Sequence, residues 1–405
     1  MTFNQDELEA PAWLNDEFFC NVMRESNNDP TIELTSACVL RPGTNKGDHF
    51  ASVMFRTTVK YRSKRANSEE KSINIIMKTK PEEDGLKKEL LDDDGLFAIE
   101  IDMYSKTLPE MARMLKEIGE EYKYPRYFYG TLQPRAIIIL EDVSDQGWVM
   151  GEVIGTLDEM RPVVKNLAMF HATSMMIESS DSTFAARYRH SMANKFIGLK
   201  GLISKGFGDL MQLTASYPEF AHFAKPLVKY QENLPTYFDS LFKPSKTYPN
   251  VLIHGDCHVK NLLHQIDAAG RIADTLLLDY QICCWTSPAI DLYYMLNLIP
   301  TQEVKDDHRL ELIYVYYQQY SDLLKRLGFK GKIPSLLDLQ LELLRYAGLE
   351  LFHYAVFMSF RYMDIVVIDL EALLKGEIKN TVTENPVYRK LMHRELTRFL
   401  HQGNL

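Results

Sequence analysis

One stretch constrains this chain more than any other: Val251-Leu252-Ile253-His254-Gly255-Asp256-Cys257-His258-Val259-Lys260-Asn261. Its three leading apolar residues suit a short buried strand. His254, Asp256 and Asn261 then follow at the spacing H-x-D-x4-N. Eighteen residues after Asn261, a second apolar run, Leu276-Leu277-Leu278, delivers Asp279. Two strands thus present two carboxylates and an amide. That set suits a divalent cation that keeps most of its coordination for phosphate and water.

The spacing is that of a kinase catalytic loop, in which the Asp receives or orients the proton of a substrate hydroxyl and the Asn holds a metal ion. On this reading Asp256 is the catalytic base, and Asn261 and Asp279 are the Mg²⁺ ligands. The plain alternative is a tight turn closed by an Asx hydrogen bond. The apolar run ending in Asp279 favours the first reading.

Composition sets bounds. With 405 residues the chain has room for two to three domain-sized units. Hydrophobic residues make up 46% and charged residues 25%, enough apolar material for a large core. A net charge of −9 argues against a general nucleic-acid surface. The five cysteines are odd in number and scattered, which gives no disulfide framework and suggests a reducing compartment. The acidic start lacks a signal-peptide pattern, and no apolar run is long enough to span a membrane. A cytoplasmic protein is the expectation.

Upstream of the central stretch, Pro11 and an Asn15-Asp16 cap open an amphipathic helix within residues 11–29. Residues 31–40 and 50–61 alternate and read as two strands. Residues 41–52 between them contain Gly43 and Gly47. A hairpin with such a loop can lay its amides over phosphates, although an ordinary turn uses the same residues. Residues 71–80 form a further strand that Pro81 stops. A lysine near its end suits the α- and β-phosphates of a nucleotide. Alternation puts Ile76, Lys78 and Lys80 on one face, so parity does not separate the lysines; Pro81 makes Lys80 the more peripheral.

From Leu96 the spacing turns helical, with Glu100 among apolar positions. A carboxylate there needs a cation, and Lys78 is the natural one. The alternative is a partly exposed Glu at the helix edge. Leu140-Glu141-Asp142-Val143 ends a strand and suits a linker between lobes, with backbone groups for a nucleotide base. Residues 157–176 read as a helix with one apolar face, on which His171 is a satisfied core histidine. Asp291 stands near the start of a helix and braces the catalytic loop rather than doing chemistry. Residues 182–245 hold aromatic and basic residues without a sharp motif and are expected to be helices; residues 302–402 are helical by period.

Together these residues resemble the ecdysteroid kinase-like family, an insect-expanded relative of choline kinases and aminoglycoside phosphotransferases. The resemblance covers nearly the whole chain. Its most specific parts are His254-Gly255-Asp256 through Asn261, Leu278-Asp279-Tyr280-Gln281 and Ser287-Pro288-Ala289-Ile290-Asp291-Leu292. It implies an α+β, two-lobed protein-kinase-like fold, with a small antiparallel-sheet N-lobe (1–140) and a large, mainly helical C-lobe (141–405). It also implies ATP- and Mg²⁺-dependent phosphorylation of a small-molecule hydroxyl, on an ecdysteroid or another small alcohol. By position, Asp256 would be the base and Asn261 and Asp279 the metal ligands. Lys78 would hold phosphate, Glu100 would hold Lys78, and Gly47 through Ser52 would cover the phosphates. Leu140, Glu141, Asp142 and Val143 would face the adenine. Two positions depart from the family pattern: His49-Phe50, where Asn-Tyr is usual, and His258, where a bulkier aromatic is common.

Other readings use the same residues. A pseudokinase would bind nucleotide without transfer. His254, Asp256, His258 and His264 are zinc-ligand types, but a zinc site leaves Lys78, Glu100 and Asp279 without a role. A protein kinase needs an activation segment, and only seven residues separate Asp279 from Ser287.

Overall fold

The computed structural model describes residues 3, 5–45, 52–65, 69–81, 95–189, 200–363, 373 and 381–405. Strands β1 (Glu33–Leu34), β2 (Arg41–Pro42), β3 (Val53–Arg62), β4 (Glu70–Thr79), β5 (Tyr127–Thr131) and β6 (Ile137–Glu141) form one antiparallel sheet. β3 and β4 pair along their whole length, β6 takes the far edge of β4, and β5 lies outside β6. Both β1 and β2 lie along β3.

Side chains alternate across such a sheet, so each face has its own partner. Val53, Phe55, Val59, Ile75, Met77, Ile137 and Ile139 make one face. Helix α1 (Asp16–Ser26) covers it with Phe19, Val22 and Met23. The expected Asn cap is in place, since Asn15 accepts the Phe18 N–H at 3.0 Å. The other face carries Met54, Arg56, Ile76, Lys78, Ile138 and Leu140 and looks into a cleft. Helix α2 (Gly95–Asp102) brings Glu100 to that side and passes into a π-helical turn, Met103–Thr107.

The single strand expected over residues 31–40 is split. Glu33 and Leu34 pair with Arg62 and Tyr61, the Thr35 N–H still donates to the Lys60 carbonyl at 2.9 Å, and strand pairing resumes at Arg41. Between them, side chains take the backbone groups that a ladder would use. Asp16 accepts the Cys38 N–H at 2.8 Å, and Thr57 Oγ1 donates to the Val39 carbonyl at 2.9 Å.

The second lobe is mainly helical and is built on the Leu157–Ser180 helix, whose cap Thr156 accepts the Glu159 N–H. The sequence predicts one apolar face for it. In the structure its middle is buried on all sides, because the Gln302–Arg326 helix packs along it and two small sheets cover the rest. β7 (Trp148–Met150) pairs with β9 (Leu262–Ile266), and β9 pairs with β10 (Ile272–Leu277). β8 (Val251–Ile253) pairs with β11 (Cys284–Thr286). Further helices run over Lys200–Ser216, Ala224–Leu241, Ala289–Leu298, Leu336–Arg345, Gly348–Val356 and Pro386–His401. Among the described residues, no helix is long and apolar enough to cross a membrane.

The packing of α1 on the sheet makes a direct prediction. Met77→Ala opens a hole on the fully buried face and lowers the unfolding free energy by about 2–5 kcal/mol in urea denaturation. A loss under about 0.5 kcal/mol would mean that this face is not a packed core.

Candidate active site

The His254–Asn261 stretch leaves β8 at Ile253, opposite Cys284 of β11. The chain turns at Gly255 with φ 83°, and a Cβ there would fall 2.9 Å from the Ile282 carbonyl oxygen. A glycine is therefore required. The buried Asp291 carboxylate accepts the His254 N–H at 2.6 Å and the Gly255 N–H at 2.8 Å. His171 Nε2 lies 3.0 Å from the same carboxylate, and its Nδ1 lies 2.7 Å from the Tyr316 hydroxyl. Asp291 thus braces the loop backbone, and His171 is a core histidine partnered on both nitrogens. His254 Nε2 reaches the Leu278 carbonyl at 2.8 Å, and the Leu278 N–H donates to the Asn261 carbonyl at 2.9 Å. These contacts stitch the loop to the residue before Asp279.

Asp279 adopts φ 63° and ψ 60°, an uncommon conformation for a residue with a Cβ. Its Oδ1 lies 2.6 Å from Lys78 Nζ. Glu100 Oε2 lies 2.7 Å from the same nitrogen, and Gln281 Oε1 3.2 Å. Lys78 is 7% exposed and Glu100 2%. The tie between Lys78 and Lys80 is broken here: β4 ends at Thr79, and Lys78 is the lysine that meets both carboxylates. Burial works against the Lys78 ammonium, but Asp279 and Glu100 outweigh it and hold its pKa above the ordinary value. Burial pushes Glu100 up to about 7; Lys78 opposes this shift, and Asp279 adds to it. One ammonium serves two carboxylates, and burial pushes Glu100 toward its neutral form.

These groups line a cavity of about 680 Å³ between the lobes. The sheet supplies Met54, Ile76 and Ile138, and the second lobe supplies Trp148, Leu263 and Leu278. Lys78, Glu100, Asn261 and Asp279 stand in its wall, as do Ser52, Leu140, Glu141, Asp142 and Val143. Gly47 and the His49-Phe50 pair lie outside the described residues.

Asp256 is not part of that wall. It stands against Asn261, whose Nδ2 donates to the Asp256 carbonyl at 2.9 Å and to its carboxylate at 3.1 Å. His258 Nε2 lies 3.4 Å from that carboxylate. Desolvation raises the Asp256 pKa, but His258, together with His254 and Asn261, lowers it, and the net shift is downward. Burial disfavours the His258 cation, yet Asp256 holds its pKa above the ordinary value. The residue that departs from the family pattern is therefore the charge partner of the expected base.

The donor set fits a hard divalent cation, because Asp279 and Asn261 offer oxygens to the same cavity. Asn261 commits its amide nitrogen to Asp256, which leaves its side-chain oxygen for a cation. Zinc does not fit. His254 has both ring nitrogens engaged, Nε2 with the Leu278 carbonyl at 2.8 Å and Nδ1 with the Asp256 N–H at 3.3 Å, so it has none left for a metal. Among the described residues, no group of three or more His, Cys, Asp or Glu is placed to hold a metal.

Sequence reasoning gave no role to Gln281, Tyr104 or Arg56, all now close to this site. Gln281 also donates to Asp279 Oδ2 at 3.1 Å, and Arg56 lies 3.4 Å from Asp142. The signal for Arg56 was available: it shares strand parity with Met54 and therefore faces the cavity.

Two expectations follow. Asp291→Ala leaves two buried amides and His171 without their acceptor, and costs about 3–5 kcal/mol in urea denaturation. A cost below about 1 kcal/mol would show that the loop is fixed by other contacts. For Glu100, the folded pKa lies above the unfolded one, so its contribution to stability is full below the unfolded value and is lost as pH rises through about 7. Melting of Glu100→Gln against the parent at pH 5 and pH 8 is expected to favour the variant more at the higher pH. The opposite trend would show that Lys78 holds the folded pKa of Glu100 below the unfolded value.

The profile of the ecdysteroid kinase-like family matches residues 46–329, more than two thirds of the chain. No curated protein matches it. Among solved structures it is similar to a spectinomycin phosphotransferase in an AMP-bound complex, with 15% identity, 81% of this chain and 89% of that one covered, and a TM-score of 0.36. It is also similar to a choline/ethanolamine kinase family protein from Mesorhizobium loti, with 12% identity, 95% and 99% covered, and a TM-score of 0.33. Neither likeness is close enough to bear on the chemistry. The family match rests on the segment that holds the loop, the lysine strand and Asp279, and the chain belongs to the ecdysteroid kinase-like family.

Proposed function

We propose that this protein transfers the γ-phosphoryl group of ATP, in the presence of Mg²⁺, to a hydroxyl of a small molecule, an ecdysteroid or another small alcohol, in the cytoplasm. The observation that carries the reading is Lys78 held between Glu100 and Asp279, in a cavity wall that also contains Asn261. Lys78 offers the ammonium for the α- and β-phosphates, and Glu100 orients it. Asn261 and Asp279 would hold Mg²⁺, which supplies charge neutralisation on the phosphates. The apolar residues of the two lobes form a slot for a planar base, with Leu140, Glu141, Asp142 and Val143 at its edge. Gly47 and Ser52 belong to the loop over the phosphates. The same reading divides the chain into lobes at residues 140 and 141.

Asp256 is the base. The acceptor oxygen bonds to the γ-phosphorus, the bond from that phosphorus to the bridging oxygen breaks, ADP leaves, and the hydroxyl proton passes to Asp256. His258 keeps the carboxylate ionised and ready to accept it. Asp256 stands off the cavity wall, so the acceptor approaches it from the helical lobe. Positioning and electrostatics carry most of the rate.

Incubation with Mg-ATP and a mixed extract of hydroxylated small molecules is expected to give products heavier by one phosphate, read by mass spectrometry. Asp256→Asn is expected to cut transfer by about 10²- to 10⁴-fold and to leave ATP binding intact. A fully active variant would rule out the base. Nucleotide binding without phosphorylation of any acceptor would favour the pseudokinase.

A further inference from the structure

The residues ahead of α1 reach the same cavity. Phe3 makes an antiparallel bridge with Asn45, lines the cavity and is 43% exposed. Gln5–Glu7 form a single 3-10 turn lying on β3. Glu7 is 1% exposed, which is rare for a carboxylate. One of its oxygens lies 3.5 Å from the Thr44 N–H. The other lies 3.5 Å from the Thr44 hydroxyl and 3.3 Å from the Met54 N–H.

Thr44 and Met54 are on the two legs of the loop between β2 and β3. The legs are pinched at this level. The Gly43 N–H donates to the Met54 carbonyl at 2.7 Å, and a Cβ on Gly43 would fall 2.7 Å from the Met54 carbonyl carbon. From the cavity side, Arg56 Nε donates to the Gly43 carbonyl at 3.1 Å. A buried carboxylate persists only where donors offset its lost hydration. Glu7 takes donors from both legs, so it fixes their spacing rather than the position of either leg alone. Thr44 and Met54 both line the cavity, so the shape of its wall there depends on that spacing.

We infer that Phe3 and the turn Gln5–Glu7 form a strap that belongs to the nucleotide site. Glu7 is a positioning residue that sets Thr44 and Met54 in the cavity wall, and Phe3 supplies apolar wall against the nucleotide at the cavity mouth. This rests on the proposed nucleotide site. It adds a dependence that the catalytic residues do not have. Removing the strap leaves Lys78, Asp256 and Asp279 where they are, so nucleotide affinity suffers more than turnover.

The test uses the full chain, with ATP and Mg²⁺ as the probe in titration calorimetry, and amide hydrogen exchange without nucleotide. Phe3→Ala is expected to weaken ATP binding about fivefold with an unchanged melting temperature, because the ring is exposed. Glu7→Ala is expected to weaken it about tenfold and to speed exchange at the Thr44 and Met54 amides, while Glu7→Gln, which keeps an acceptor oxygen, recovers most of both. If Glu7→Ala fails to fold, Phe3→Ala and Glu7→Gln carry the test. Parent protein that binds ATP together with variants that bind it equally well overturns the strap alone. Tighter binding by Phe3→Ala also overturns it, since the ring would then be blocking the mouth. Parent protein that binds no ATP overturns the nucleotide site itself and the strap with it.

Discussion

A single ammonium shared between two carboxylates ties the molecule together. Lys78 comes from the sheet, Glu100 from the helix beside it, and Asp279 from the other lobe, 201 residues further along the chain. Each partner is expensive to bury alone and acceptable in company. The triad therefore fixes more than a site. It sets the depth at which β4 meets α2 and the point at which the second lobe closes on the first. The alternation of β3, β4 and β6 makes this possible, because it sends every second side chain to α1 and leaves the others, Lys78 among them, for the cleft.

The second lobe solves a different problem, which is how to hold a loop of polar residues still at the end of a short strand. Asp291 does it by accepting two backbone amides of the loop, and His171 and Tyr316 in turn hold Asp291. The loop thereby inherits the rigidity of three helices. Gly255 allows the turn, and the contacts of His254 and Asn261 with Leu278 carry that rigidity on to Asp279. The electrostatics follow from the same geometry. Asp256 is half-buried, has His258 at hand and keeps a lowered pKa, whereas the deeply buried Glu100 shares its cation and does not.

Much of the site was legible because its chemistry is written in short spacings. The H-x-D-x4-N run, the apolar run before Asp279 and a lysine near a strand end each state a local geometry, and strand parity placed Lys78 toward the cleft. What was not legible depends on contacts between distant segments. The strand expected over residues 31–40 gives way because Asp16 and Thr57 capture its backbone. The Leu157–Ser180 helix is buried all round because of what packs on it, and its own period does not say so. Parity alone could not choose between Lys78 and Lys80; the choice came from where Glu100 and Asp279 stand. The standing-off of Asp256 from the cavity wall has no sequence signal. Neither does Glu7, since a single turn is too short to show a period.

The left-handed backbone at Asp279 bears on how this position tolerates change. Few side chains accept that geometry; asparagine does so readily, and glycine does so without strain. Substitutions here would therefore sort first by main-chain compatibility and only then by charge. Asparagine would preserve the shape of the junction between the lobes while removing the negative charge that Lys78 answers to. A valine would disturb both at once. The residue carries two separable instructions, one architectural and one chemical, and a library of replacements at this codon would read them apart.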